Sequence, residues 1–138
     1  MELRTASSPR DVKHYTTDRL REEFLIQNLF VPGEIKLVYS HIDRIITGAA
    51  VPAQSPIALT AGDELRADYF LERREMGVIN IGGKGKITID GKSYTVDYKE
   101  AMYIGMGSKE ITFESFDAAA PESSILTAHL HTKHILRF

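Results

Sequence analysis

Residues 82–96, GGKGKITIDGKSYTV, restrict the fold more than any other part of the chain. Two runs rich in β-branched and aromatic residues flank Asp90-Gly91. That dipeptide accepts the left-handed backbone a two-residue hairpin turn demands. Ile87, Ile89, Tyr94 and Val96 alternate around it and frame a tight hairpin. Similar runs recur along the chain. IKLVYSHIDRIITGAAV ends at Pro52, ADYFLERREMGVINIGG closes at Gly82-Gly83, and KEAMYIGMGSKEITFESF is split by Gly105-Met106-Gly107. Short strands at regular spacing, separated by turn glycines, predict a mainly β antiparallel barrel or double-sheet jelly roll. The one helix expected is DRLREEFLIQ, capped by Thr17 or Asp18, with Leu20 and Phe24 on one face. Residues 1–16 read as an extended polar segment, and 54–62, with Pro56, as a loop.

The remaining composition mostly removes function classes. A chain of 138 residues suits one domain. A net charge of −2 gives no electrostatic footing for nucleic acid or an anionic membrane surface. Cysteine is absent, which removes disulfides, thiolate metal sites and cysteine nucleophiles. No apolar run approaches the roughly 20 residues of a membrane span. The first residues, MELRTASSPRDVKHYTTD, carry no apolar signal segment, so a cytoplasmic protein is expected.

Three constellations carry polar chemistry. In YSHIDR, period-two alternation puts Tyr39, His41 and Asp43 on one face of a strand, beside Arg44. Such a set suits a barrel mouth that binds a carboxylate through Arg44, or else a structural hydrogen-bond cluster or oligomer contact. In ERRE, Arg73 shares a face with Glu75, and Glu72 with Arg74. Arg73 is a second candidate carboxylate ligand, while ion pairing within the string is the plainer reading. Near the end, HLHTKH supplies His129, His131 and His134, weak candidates for a metal. The glycines at 82, 83, 85 and 91 form no phosphate loop, because no helix or Lys-Ser/Thr pair follows them.

The glycine spacing resembles the motifs of cupin barrels. Their first motif is Gly, five residues, His-x-His, three or four residues, Glu, six residues, Gly. Here Gly62, Glu75 and Gly82 keep the frame, but Asp68 and Phe70 stand at the two histidine places. After Gly105-Met106-Gly107, Glu110 stands where the second motif has its histidine. A nitrogen-rich site for a transition metal is therefore dismantled. Asp68, Glu75 and Glu110 remain as a degenerate all-oxygen set for a harder cation, with solvated carboxylates the favoured alternative.

Longer strings resemble one family in particular. LREEFLIQNLFVPGE, LVYSHIDRIITGAAVP, YFLERREMGVINIGGKGKITIDG and AMYIGMGSKEITF are similar to 5-keto-4-deoxyuronate isomerases, from about residue 17 to Pro121. The resemblance implies a ketol-isomerase of two cupin-like halves, acting on a uronate from pectin breakdown. It also implies one zinc held by three histidines and a glutamate in the C-terminal half, and a homo-oligomer, typically a hexamer. A bound zinc polarises the oxygens while a base moves the proton. Full members are about twice as long as this chain, two domains of ordinary size. The chain therefore reads as a truncated N-terminal half without zinc ligands, expected to bind no cofactor of its own, to be inactive alone and to self-associate. Tyr39, His41, Arg44 and Arg73 are its weak uronate-binding candidates. The rival reading is a non-catalytic sugar-acid-binding or oligomerisation module.

Residues 122–138, ESSILTAHLHTKHILRF, depart from the family string. Permitted codons for them, with one A inserted at the start, translate as EKFYFNSAPAHKTYPTF, which restores the family pattern. The expected organisation is thus an extended segment 1–16, a cupin-like domain 17–121, and an out-of-frame tail 122–138 whose histidines were never selected to bind metal.

Overall fold

The computed structural model describes residues 1–130. Ten strands run along the chain: β1 (Glu2–Arg4), β2 (Ile35–Ser40), β3 (Ile46–Ala50), β4 (Ile57–Ala58), β5 (Arg74–Asn80), β6 (Gly85–Ile89), β7 (Lys92–Val96), β8 (Ala101–Ile104), β9 (Ile111–Ser115) and β10 (Ser124–Leu130). They form one six-stranded sheet, β1-β2-β3-β10-β5-β8, and one four-stranded sheet, β4-β9-β6-β7. Every pairing is antiparallel except β1 with β2. The expectation of a mainly β jelly roll holds, as two open sheets rather than a closed barrel.

The inner faces follow the period-two pattern. In β5, Arg74, Met76, Val78 and Asn80 are buried, while Glu75, Gly77 and Ile79 face outward. Ile87, Ile111 and Phe113 of the small sheet join Ile46, Met76, Val78, Ile104 and Leu126 of the large one in a single core. Side chains of this size each contribute roughly 1.5–3 kcal/mol when fully buried. The β6–β7 hairpin turns on Asp90 (φ 48°) and Gly91 (φ 83°), both left-handed as a type I′ turn requires. Asp90 also fixes the next loop, accepting from the backbone of Lys109 and Glu110.

The crossing from 116 to 124 fits because glycines face it. A Cβ at Gly82, Gly83 or Gly85 would strike Pro121, Ala120 or the Glu122 carboxyl. Asn80, fully buried, ties this corner together. Its amide donates to the carbonyls of Gly83 (2.8 Å) and Val96 (3.1 Å). Its carbonyl accepts from the backbone of Gly82 (2.9 Å) and Ser123 (3.2 Å).

Several expectations are corrected. YSHIDR is not one strand: β2 ends at Ser40, and Asp43 and Arg44 take φ 53° in the turn to β3. Tyr39, His41 and Asp43 therefore do not share a strand face. The region from 67 to 73 is turns and bends, and the strand begins only at Arg74. The helix (α2, Thr17–Phe24) is capped by Thr16, which accepts from the Arg19 amide, and it buries no residue. A short helix at Pro9–Val12 (α1) precedes it. Residues 1–16 are not simply extended, since they contain α1, and β1 ties their start to the large sheet. The sheet also does not end at Pro121. β10 pairs with both β3 and β5, burying Ser124, Leu126 and Ala128, so the domain continues through the start of the supposed tail. Among the described residues, no helix is long and apolar enough to cross a membrane.

Candidate functional site

One end of the large sheet gathers positive charge. Tyr39 from the end of β2, Arg44 from the β2–β3 turn, Leu65 and Arg66 from the turn before β5, Arg73, Arg74 and Leu130 line a cleft of about 310 Å³. The placement follows from local structure. Arg66 caps a single 3-10 turn, Asp63–Leu65, in a left-handed conformation (φ 46°). Arg73, just outside β5, donates through Nη2 to the carbonyls of Leu65 (3.0 Å) and Arg66 (2.8 Å). Two main-chain acceptors thus hold one end of its guanidinium in place.

Arg74 is the unusual member. It is the first residue of β5 and points inward, only 4% exposed. Its guanidinium carbon lies 5.4 Å from the centre of the Tyr39 ring, and Nη2 donates weakly to the Tyr39 hydroxyl at 3.4 Å. Its Nε is buried without a hydrogen-bond partner. Burial lowers its pKa from the ordinary value, and the nearby charges of Arg73 and Arg44 lower it further, against the favourable contact with Tyr39. Desolvation and like charge both disfavour the charged form, and an anion in the cleft would offset them by supplying an opposite charge.

The carboxylate lining this cleft, among the described residues, is that of Glu64, which pairs with the Met1 ammonium at 3.4 Å. A larger cavity of about 480 Å³ lies beside it, lined by Met1, Ile35, Leu37 and residues 56–62 and 64. Its charged lining is that same ion pair, so the chemistry favours the smaller cleft.

Three of the four sequence candidates for a carboxylate, Tyr39, Arg44 and Arg73, come together here. His41 stacks edge-on against Tyr39 with ring centres 5.4 Å apart and does not line the cleft. Arg66 has no signal in the sequence, because only the left-handed turn brings it to Arg73.

The all-oxygen metal set is overturned. The Asp68 backbone binds the Glu72 carboxylate at 3.3 Å. Glu75 sits on the outer face of β5, where its oxygens meet His129 Nε2 (2.8 Å) and the Tyr103 hydroxyl (2.6 Å). Glu110 is exposed in the loop beside the hairpin turn. Among the described residues, no three His, Cys, Asp or Glu side chains are grouped to hold a metal. The ERRE string also does not close on itself as expected, since its members turn to separate partners. Phe70 is 2% exposed and reaches the core from a turn. His129 is exposed and engaged with Glu75, while His131 and His134 lie outside the described residues.

No family model matches the chain. Curated proteins do. The 4-deoxy-L-threo-5-hexosulose-uronate ketol-isomerase of Lachnoclostridium phytofermentans is 68% identical over 135 residues, 97% of this chain and 49% of that protein. Those of Halalkalibacterium halodurans and Formosa agariphila are 55% and 50% identical, over 88% and 96% of this chain and 44% and 48% of theirs. Over that shared half, the chain is a relative of these ketol-isomerases. It spans about half the length of the curated relatives it matches. The longer matches extend past Pro121, in keeping with the strand found there.

Solved structures add the fold alone. A cupin domain of a transcriptional regulator from Enterobacter cloacae superposes with a TM-score of 0.54 at 14% identity, over 72% of this chain and 97% of that one. The Schizosaccharomyces pombe Cnp3 cupin domain gives 0.52 at 10% identity, over 70% and 60%.

Proposed function

We propose that this chain is one half, the N-terminal one, of a ketol-isomerase that interconverts 4-deoxy-L-threo-5-hexosulose-uronate and its ketose isomer in the breakdown of pectin-derived uronates. The observation that carries this reading is the 68% identity to a protein of that name across nearly the whole chain. Ketol isomerisation moves a proton between two adjacent carbons while their oxygens exchange carbonyl and hydroxyl character. It needs a base for the proton and an electrophile for the oxygens. The donor set of the described residues does not fit the zinc that the family resemblance implies, so no step is assigned to a metal here. What these residues supply is substrate contact and a rigid frame.

The 138-residue chain alone should then isomerise poorly or not at all. The test is an isomerase assay on the purified chain, beside the same chain joined to the remaining half of the Lachnoclostridium phytofermentans relative. Activity only in the joined protein supports the reading, and robust turnover by the short chain defeats it. The second reading, a sugar-acid-binding module without catalysis, is favoured by the arginine cleft. It predicts binding in both proteins and turnover in neither.

The proposed setting is the cytoplasm, with self-association. In support, the outer face of β5, β8 and β10 carries an apolar depression of about 470 Å³ lined by Gly77, Ile79, Ala101, Met102, Tyr103 and Ile125. β8 is also an edge strand of its sheet among the described residues.

A further inference from the structure

We propose that the cleft at the β2–β3 turn binds the carboxylate of a sugar acid, held by Arg44, Arg66 and Arg73 above the buried Arg74. The choice of a sugar acid rests on the isomerase reading. The presence of an anion site does not.

Four guanidinium groups bordering one cleft of about 310 Å³ repel each other, yet none of them forms an ion pair within the described residues. The lining carboxylate, Glu64, is already paired with the Met1 ammonium. A buried charge is ordinarily paired, and leaving it unpaired is costly. Arg74 is 4% exposed, and among the described residues its Nε has neither a counter-ion nor a hydrogen-bond partner. An anion held by its neighbours supplies the missing opposite charge.

The geometry favours a carboxylate on a small polyhydroxylated body. Guanidinium forks match carboxylate oxygens two at a time. The Arg73 fork is fixed in advance by its two carbonyl acceptors, so little side-chain freedom is lost on binding. Tyr39 accepts from Arg74 through its hydroxyl oxygen, which leaves its own proton for a ligand oxygen. The volume lies near the lower end of small-molecule sites, which run from roughly 300 to 1,000 Å³. That suits a six-carbon acid better than an oligosaccharide.

The experiment is isothermal titration of the 138-residue chain with D-galacturonate, D-galactose and inorganic phosphate in turn. Galacturonate should bind saturably, galactose should not, and phosphate should bind more weakly than the sugar acid. Arg44→Gln and Arg66→Gln, both at exposed turn positions, should each weaken galacturonate roughly tenfold or more, as expected on losing a charge-assisted contact. Their denaturation midpoints should stay with that of the parent. No saturation with galacturonate, equal binding of galactose, preference for phosphate, or undiminished affinity in both variants overturns the proposal. The joined protein separates the two readings. Isomerase activity without galacturonate binding removes the site and leaves the isomerase, whereas binding without activity does the reverse.

Discussion

Glu122 should make the fold less stable as the solution turns alkaline. Its carboxyl is fully buried where the chain enters β10, against Gly85 of β6. Oε1 accepts from the Ser124 hydroxyl, but Oε2 has no partner. Burial pushes the pKa from 4.5 up to about 7, with the Ser124 hydrogen bond a smaller opposing influence. The folded state therefore holds this proton more tightly than the unfolded chain. The stability so conferred is complete below the unfolded pKa of 4.5, declines as pH rises towards the folded value of about 7, and is gone above it. At ~1.4 kcal/mol per pH unit, the interval is worth about 3 kcal/mol. Glu122→Gln keeps the shape and removes the titration. Urea unfolding of both proteins at pH 5, 6, 7 and 8 should show the parent losing about 3 kcal/mol more than the variant across that range. Other groups titrate alike in both, so the difference isolates Glu122. Parallel pH profiles would refute the argument and imply that water or a counter-charge reaches Oε2.

Asn80→Ala should cost at least about 3 kcal/mol in urea unfolding, because it leaves the buried Val96 carbonyl and the part-buried Gly83 carbonyl, Gly82 amide and Ser123 amide short of partners. A loss under 1 kcal/mol would mean the corner repacks or takes up water. Ile79→Lys, at an outward position of β5 that is 48% exposed, should shift the chain towards monomer in analytical ultracentrifugation without changing its unfolding midpoint. An unchanged distribution would place self-association on another surface.

The parts of the fold legible in the sequence were those fixed by local rules. Asp90-Gly91 predicts its hairpin because the left-handed turn and the alternation of Ile87, Ile89, Tyr94 and Val96 point to the same register. YSHIDRII misleads for a definable reason. Its isoleucines continue the strand pattern across the break, and only the tolerance of Asp43 for a positive φ hints at the turn. Residues 67–73 carry a motif spacing that suggests a strand, but Phe70 and Leu71 reach the core from turns instead. The boundary at Pro121 follows the family string rather than the residues themselves. SILTAHL alternates as a strand should, with Ser124, Leu126 and Ala128 inward. The frame-restored EKFYFNS would place Phe, Phe and Ser at those same positions, so either reading frame preserves the alternation.

The arginine cleft was only half legible, because no periodicity relates positions 44, 66 and 73. They meet through two left-handed turns and the start of β5. Their meeting place also limits what this half can do. The space between the sheets is filled by Phe70, Leu71, Met76, Ile87 and Phe113, each at most 2% exposed. A core packed in this way leaves no room for a ligand to reach an interior reacting group. Arg74, the charged side chain buried in the large sheet among the described residues, lies beside an opening at the rim. A carboxylate site in this half therefore belongs at the rim, where two main-chain acceptors already fix Arg73 and Arg74 lies buried beneath.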